Sequence, residues 1–240
     1  MHELGEWLRE QVAPWGLLLS ERQLQQFALY YEHLIKINEV MNLTSITDVR
    51  EVYVKHFYDS LTLAQVVDVS RVTSLIDVGT GAGFPGIPLK IAFPELKLTL
   101  LDSLKKRVGF LQEVADLLEL DHVTCVHGRA EEMAKQKGFR EAYDMATARA
   151  VARLNVLAEY CLPFVKVGGT FVSMKGPSAE EEMKEAKRAL HVLGKTTCQR
   201  KELVLPEAMG TRNLIIMQKR DHTPKAYPRK AGTPTKQPLV

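Results

Sequence analysis

Between residues 75 and 86 the chain reads Leu-Ile-Asp-Val-Gly-Thr-Gly-Ala-Gly-Phe-Pro-Gly. An apolar run from Leu75 to Val78 carries one acid, Asp77, and leads into the alternating glycines Gly79, Gly81 and Gly83, then Phe84 and a helix-like stretch from Gly86. Glycines turn the backbone through dihedrals that other residues avoid and let it approach a ligand closely, and a helix start leaves N–H groups without partners. A strand, a glycine turn and a helix in that order make a nucleotide cradle. Which nucleotide it holds separates hydride transfer from methyl transfer.

Two readings of the glycines compete. Gly81-x-Gly83-x-x-Gly86 satisfies the dinucleotide fingerprint, and Asp102 stands near the ~20-residue distance at which that fingerprint places a ribose-binding acid. The register speaks against it, because a dinucleotide turn has its first glycine directly after the strand, and here that glycine is Gly79. The pattern Asp77-x-Gly79-x-Gly81-x-Gly83 resembles motif I of class I S-adenosylmethionine-dependent methyltransferases. Their cofactor has no phosphate, so an acid is acceptable beside the loop, and Asp77 is expected to face the cationic sulfonium or the methionyl ammonium.

The surrounding elements must place this loop at a sheet edge. Residues 1–66 read as a helical extension, with a capping box at Ser20 and Gln23 and an apolar face of Leu24, Phe27, Ala28, Tyr31, Leu34 and Ile35. A further helix is expected from Asp48 to about Val67. Residues 67–220 read as the cofactor-binding domain, with strands at 74–78, 97–101, 123–126, 143–147 and 169–174 and helices at 86–92, 104–119, 129–137, 151–165 and 178–193. Such alternation implies right-handed crossovers and a parallel sheet covered on both faces. Two last strands, Thr196 to Leu205 and Asn213 to Lys219, are joined too tightly for a crossover helix and must pair antiparallel. The expected fold is α/β: a Rossmann-like seven-stranded sheet with an antiparallel final strand, the class I methyltransferase arrangement, carrying an N-terminal helical extension.

Strand ends then place the site. Asp102 follows Leu98 to Leu101, where its carboxylate would accept both ribose hydroxyls or cap the next helix. Ala130 and Glu131 follow Val123 to Val126, at the position that reads adenine, although Glu131 also suits a helix dipole. Arg149 ends the fourth strand and Lys175 the fifth, both at the cleft. The fourth strand end, Met145 to Arg149, lacks the D/N-P-P-Y/F/W motif of enzymes that methylate exocyclic amines. Carbon methylation needs a cysteine nucleophile, but Cys125 lies mid-strand, where burial is expected, and Thr197-Cys198 lies past the expected site. An acceptor that needs neither base nor covalent intermediate remains, and guanine N7 is one, its lone pair lying in the ring plane. No catalytic side chain is then required, because in-line positioning can contribute ~7–11 kcal/mol.

The 240 residues are 45% apolar and carry no stretch of the ~20 apolar residues that span a membrane, no CxxC among three cysteines, and no signal peptide at the start. The reading is of a cytoplasmic monomer that holds no metal. The net charge of +3 lies wholly in residues 221–240, where Lys225, Arg229, Lys230 and Lys236 outnumber Asp221 and four prolines favour extended backbone. Such a tail suits RNA, or is simply solvated.

Five segments together resemble the bacterial small-subunit rRNA methyltransferase G family, also called glucose-inhibited division protein B. They are Asn38-x-x-x-Asn42-Leu43-Thr44, His56-x-x-Asp59-Ser60-Leu61, Asp77 to Gly86, Thr147-Ala148-Arg149-Ala150 and Tyr227-Pro228-Arg229-Lys230-Ala231-Gly232-Thr233-Pro234. The likeness runs from about residue 24 to the C-terminus, with one departure at Ile37, where the family carries an aromatic. It implies methyl transfer from S-adenosylmethionine to N7 of a guanosine in 16S rRNA, free or in a small-subunit assembly particle. It also implies cofactor contacts at Gly79, Phe84, Ala130, Glu131 and Arg149. Asn38, Asn42, His56 and Asp59 either line the RNA entrance or dock the helical extension on the sheet. Candidates for phosphate contact are Arg107 in the Lys105-Lys106-Arg107 run, Arg149, Arg153, Lys175, Arg212, Arg229 and Lys230.

Overall fold

The structure is a computed structural model that describes residues 2–149 and 151–240. Ala150, the last residue of the Thr147-to-Ala150 motif, lies outside the described residues. Strands β1 (Ser74–Val78), β2 (Lys97–Asp102), β3 (Val123–His127), β4 (Tyr143–Arg149), β5 (Val165–Lys175), β6 (Thr197–Val204) and β7 (Thr211–Gln218) form one seven-stranded sheet in the order 3-2-1-4-5-7-6. Neighbours among β1 to β5 run parallel, and β7 runs antiparallel to both β5 and β6. Strand order reverses between β1 and β4, so their carboxyl ends open the crevice where such sheets bind ligands.

Side chains alternate between the sheet's two faces, as the pleat requires. Leu75, Leu98, Leu100, Met145 and Val172 join one core, and Ile76, Val78, Leu101, Ala146 and Phe171 the other. The first core is shared with the N-terminal extension, built from α1 (His2–Val12), α2 (Glu21–Met41), α3 (Val49–Val52), a π-helical turn (Tyr53–Tyr58) and α4 (Asp59–Leu61). The crossovers supply α5 (Gly86–Ala92), α6 (Lys105–Leu117), α7 (Ala130–Met133), α8 (Leu154–Cys161), α9 (Ala179–Glu185) and α10 (Lys187–Val192). A last short helix, α11 (Thr233–Lys236), lies in the tail.

The capping box forms: Ser20 Oγ accepts from Gln23 N and Gln23 Oε1 accepts from Ser20 N. Gln23 Nε2 also donates to Ile91 O (2.7 Å), so the helix start is tied to α5. The buried stripe of α2 is Leu24, Phe27, Tyr30 and Leu34, whereas Tyr31, expected inside, is half-buried. Ile37 packs against the same core, which gives the departure from the family pattern a packing role.

Several expected helices differ. The single helix from Asp48 to Val67 is instead α3, a π turn, α4 and a 3-10 stretch, Thr62–Gln65. The wider π turn buries Tyr53, Val54, His56, Phe57 and Tyr58 together. The helix expected over 129–137 stops at Met133, ahead of a polar run ending in Gly138 at φ +91°. That over 151–165 begins at Leu154 and tightens into 3-10 at Leu162–Phe164, where Pro163 lacks an N–H. Residues 178–193 split at Ala186 into α9 and α10. The fifth strand begins at Val165, four residues early, running through Gly168 and Gly169 beside a register shift in its pairing with β4.

Candidate active site

The glycine loop is held from behind. Asp77 is fully buried, and its Oδ2 accepts from Thr80 Oγ1 (2.6 Å) and Gly86 N (2.9 Å). Burial pushes its carboxyl up to about 6. The acid expected to face the sulfonium or ammonium therefore lies inside the fold, as the peg that shapes the turn. It also occupies the first amide of α5. A pyrophosphate needs that amide free and no carboxylate behind it, so the dinucleotide reading does not fit this cradle.

In front, Gly79 N donates to Leu101 O (2.8 Å) and Gly81 N to Asp102 Oδ2 (2.9 Å), which anchors the loop to the end of β2. Gly81 has φ +63°, and a side chain there would meet nothing within 4 Å, since it faces open space. At Gly83, φ +99°, a Cβ would stand 2.7 Å from the Tyr30 hydroxyl. Tyr30 reaches across from α2 to donate to Ala82 O, so the helical extension closes directly on the loop. Sequence reading missed this residue, and the three- and four-residue spacing from Phe27 and Leu34 was the signal for it.

Three cavities run along the crevice. The central one, about 380 Å³, is lined by Gly79, Gly81, Phe84, Asp102, Arg107 and Arg149, together with Leu43 and Thr44 from the extension. A smaller one, about 140 Å³, adjoins it at Gly79, Ser103 and Val151 and is lined by Ala130, Glu131 and Tyr160. A third, about 280 Å³, shares His56 and Arg149 with the central cavity and is lined by Asp59, Lys175 and Arg212. No local signal in the sequence marked Ser103 or Tyr160.

Asp102 is 3% exposed and already accepts from Gly81 N and, through Oδ1, from Leu104 N (2.9 Å), with Arg107 Nη1 3.7 Å away. It thus fixes the turn ahead of α6, whose N-cap is Leu104 without a side-chain cap, while lining the cavity, and a carboxylate's lone pairs leave room for further donors. Glu131 is 5% exposed and sits in the first turn of α7, its Oε1 accepting from Gly232 N (2.9 Å). Phe84 stacks on His56, ring centroids 4.5 Å apart, with the Arg149 guanidinium carbon 4.9 Å from its ring centre.

Around the third cavity one carboxylate organises two arginines. Asp59, 1% exposed, receives Arg149 Nη1 (3.2 Å) and Arg212 Nε (3.2 Å) on the same Oδ2, while its Oδ1 has no partner among the described residues. Arg149 further donates to Lys55 O (3.1 Å) and to His56 Nδ1 (3.2 Å). His56 Nε2 meets Thr44 Oγ1 at 2.9 Å. Burial, reinforced by Arg149, pulls the His56 imidazole down to about 3, so it is neutral at physiological pH, and its Nδ1 is engaged, lying 3.1 Å from Lys55 O as well as beside Arg149. Lys175 is 8% exposed and bound to Glu182 (2.8 Å) and Ala152 O.

The remaining candidates are dispersed. Asn38 Oδ1 accepts from Thr44 N (2.8 Å), and Asn42 terminates α2 at φ +49°. Both shape the turn that delivers Leu43 and Thr44 to the cleft. Arg153 pairs with Glu185 on the surface (2.5 Å), and Lys230 is exposed. The tail is not extended. It folds back on α8, Arg229 pairs with the buried Glu159 (2.7 Å), and Pro234 sits in the first turn of α11, where a missing N–H costs nothing. The thiols offer no nucleophile: burial pushes Cys125 and Cys198 up to about 11 and Cys161 well above the usual thiol range, although Cys125 is only half-buried. Among the described residues no helix is long and apolar enough to cross a membrane.

Comparison with solved structures places the fold. The O-methyltransferase TomG from Streptomyces achromogenes, solved in complex with SAM, matches with a TM-score of 0.58 at 14% identity over 87% of this chain and 95% of that one. An O-methyltransferase from Bacillus cereus, in complex with SAH, matches at 0.57 and 13% over 80% and 90%. In sequence, a Bacillus cereus protein named ribosomal RNA small subunit methyltransferase G is 54% identical over 224 residues, 93% of this chain and 94% of its own. A Bacillus thuringiensis protein of the same name matches equally. The family model for rRNA small subunit methyltransferase G covers residues 23–214, a span that includes the glycine loop, the Asp59 cluster, β6 and the first half of β7. With the class I methyltransferase fold and the crevice between β1 and β4, these matches establish that the chain belongs to the rRNA small subunit methyltransferase G family.

Proposed function

We propose that the protein transfers a methyl group from S-adenosylmethionine to N7 of a guanosine in 16S rRNA. The residues present suit that cofactor: the space before Gly81 is open, the cradle has no free helix amide for a phosphate, and the ribose acid stands at its rim. Gly79, Gly81 and Gly83 would hold the methionyl half, Asp102 the ribose, and Ala130 and Glu131 the adenine. Bound there, S-adenosylmethionine supplies an electrophilic methyl carbon on a sulfonium. The third cavity, beyond Arg149 and His56, takes the acceptor base.

The observation that carries the N7 assignment is the junction between the two cavities, where both ring nitrogens of His56 are engaged and the one carboxylate, Asp59, is paired with two arginines, only its Oδ1 lacking a partner among the described residues. The imidazole there is neutral with its Nδ1 engaged by Arg149, and the arginines are fixed by Asp59. Amine methylation must shed a proton, whereas N7 methylation creates a cation and sheds none. What remains for the protein is to hold the base in line, and Arg149, fixed by three partners, is built as a positioning group. Arg107 and Arg212, each part-exposed at the rim, supply charge for the RNA backbone.

The test is transfer of labelled methyl to unmodified small-subunit RNA, with free RNA and assembling particles as separate arms, followed by mapping. Label at N7 of one guanosine in either arm is the expected result. Label on an exocyclic amine, or none in both arms, overturns the reading.

A further inference from the structure

The basic tail is latched rather than free. Arg140 donates to Thr223 O (2.8 Å) and Tyr227 O (2.9 Å), which fixes the start of its return path. Arg229 then commits its whole fork to Glu159, Nε to Oε1 (3.0 Å) and Nη2 to Oε2 (2.7 Å), and its backbone N donates to the same carboxylate (2.7 Å). The Glu159 side chain is 1% exposed, so releasing Arg229 would strand a buried charge. Three residues on, Gly232 N donates to Glu131 Oε1 (2.9 Å), and Thr235 Oγ1 lies 2.8 Å from the Tyr160 hydroxyl. Pro228, Pro234 and Leu239 are buried.

Glu131 and Tyr160 are also two walls of the smaller cavity beside the glycine loop. Each is therefore gripped by the tail on one side and faces the crevice on the other. We propose that residues 227–235 form a strap that positions Glu131 and Tyr160 for the adenine of the cofactor, with Arg229 as its latch rather than an RNA contact. This rests on the S-adenosylmethionine reading given above. A strap that favours cofactor binding must itself be tightened by the cofactor, by the same factor.

Calorimetry with S-adenosylhomocysteine and with adenosine, on full-length chains, tests it. Arg229→Ala weakens both ligands about tenfold, within the usual range of coupling between sites. Adenosine suffers as much as S-adenosylhomocysteine because the effect lies at the adenine end. The pair Arg229→Met with Glu159→Gln, which strands no charge, shows the same loss, and Arg229→Lys recovers part of it. In the wild-type protein S-adenosylhomocysteine slows hydrogen exchange of the Gly232 amide. Unchanged ligand affinity in a folded variant whose Gly232 amide exchanges freely overturns the strap. So does intact ligand affinity with weaker RNA binding and a salt slope reduced by about one, the signature of a lost phosphate contact. Absence of S-adenosylhomocysteine binding by the wild-type protein overturns the cofactor reading and the strap together, whereas wild-type binding with unaffected variants overturns the strap alone.

Discussion

At the glycine loop the surface is mostly backbone, shaped by glycines at φ +69°, +63° and +99° and pegged from behind by one buried acid. At the third cavity it is mostly polar side chains, the charged Arg149, Arg212 and Lys175 and the neutral His56, brought from four separate elements, with both arginines held by Asp59. The difference suits the two ligands proposed for these halves. A small cofactor of fixed shape is suited by a rigid cradle whose dihedrals are set before binding. An RNA nucleotide arrives with phosphates and a base that becomes cationic, so its half of the cleft needs fixed charges of both signs. Phe84 joins the two halves, lying between His56 and Tyr30 with Arg149 over its ring.

The sharpest way to break the comparison is at the rigid half. Gly83→Val forces a branched side chain into a left-handed conformation against the Tyr30 hydroxyl and Ile87. Strain and overpacking of this kind cost a few kcal/mol, so S-adenosylhomocysteine affinity falls about 10²-fold or more by calorimetry. Near-normal affinity would mean that the cradle is not preformed.

At the other half, Asp59→Ala frees two arginines that share one oxygen. Methyl transfer to RNA drops about 10²-fold, as expected when a positioning group shifts by ~1 Å. S-adenosylhomocysteine affinity stays within about twofold, and a parallel loss of cofactor binding would refute the division into halves. Asp102→Ala does the reverse, weakening S-adenosylhomocysteine about tenfold or more through lost charge-assisted hydrogen bonds. Its effect on RNA affinity is small, and unchanged cofactor affinity would remove Asp102 from the ribose site.

The smallest expected effect is in pH dependence. A base at the junction would make transfer fall below its titration point, but His56, pulled down to about 3 by burial and Arg149, stays neutral. Transfer rates are therefore flat from pH 7 to 8, above the titration of the loop's Asp77 at about 6, and a proton-linked decline across that window would point to a base. Stability carries the sign separately. The unfolded chain protonates His56 near 6.5 while the folded chain does not until about 3, so stability is lost as pH falls below 6.5, by about 1.4 kcal/mol per unit at most. Asp77, raised to about 6 by burial, opposes this between 3.8 and 6, because there the folded chain holds the extra proton. Denaturant melts of wild type against His56→Gln isolate the histidine, since Asp77 is common to both.

Much of the fold was legible because strands here are short apolar runs with clear ends. Six strands begin and end near the residues expected, and β5 is the exception because Gly168-Gly169 reads as a break while the chain continues through it. The split at Ala186 has no local marker at all. Of the site, the glycine loop and the Asp102 and Arg149 strand ends are where expected and line one cavity. Arg229 is the misleading one: in a proline-rich basic tail a latch to a buried acid and an RNA contact have the same composition.

The chain order alone determined the α/β sheet, the antiparallel finish and a glycine cradle with an acid beside it, because period, turn residues and strand ends are local properties. Only the tertiary structure decided which way that acid points, that Arg149 and Arg212 meet on Asp59 across 90 and 153 residues, and that Arg229 belongs to Glu159, 70 residues away. The partner of a charged side chain is set by which elements pack together and how dry the contact is. Neither is written in the spacing of neighbouring residues.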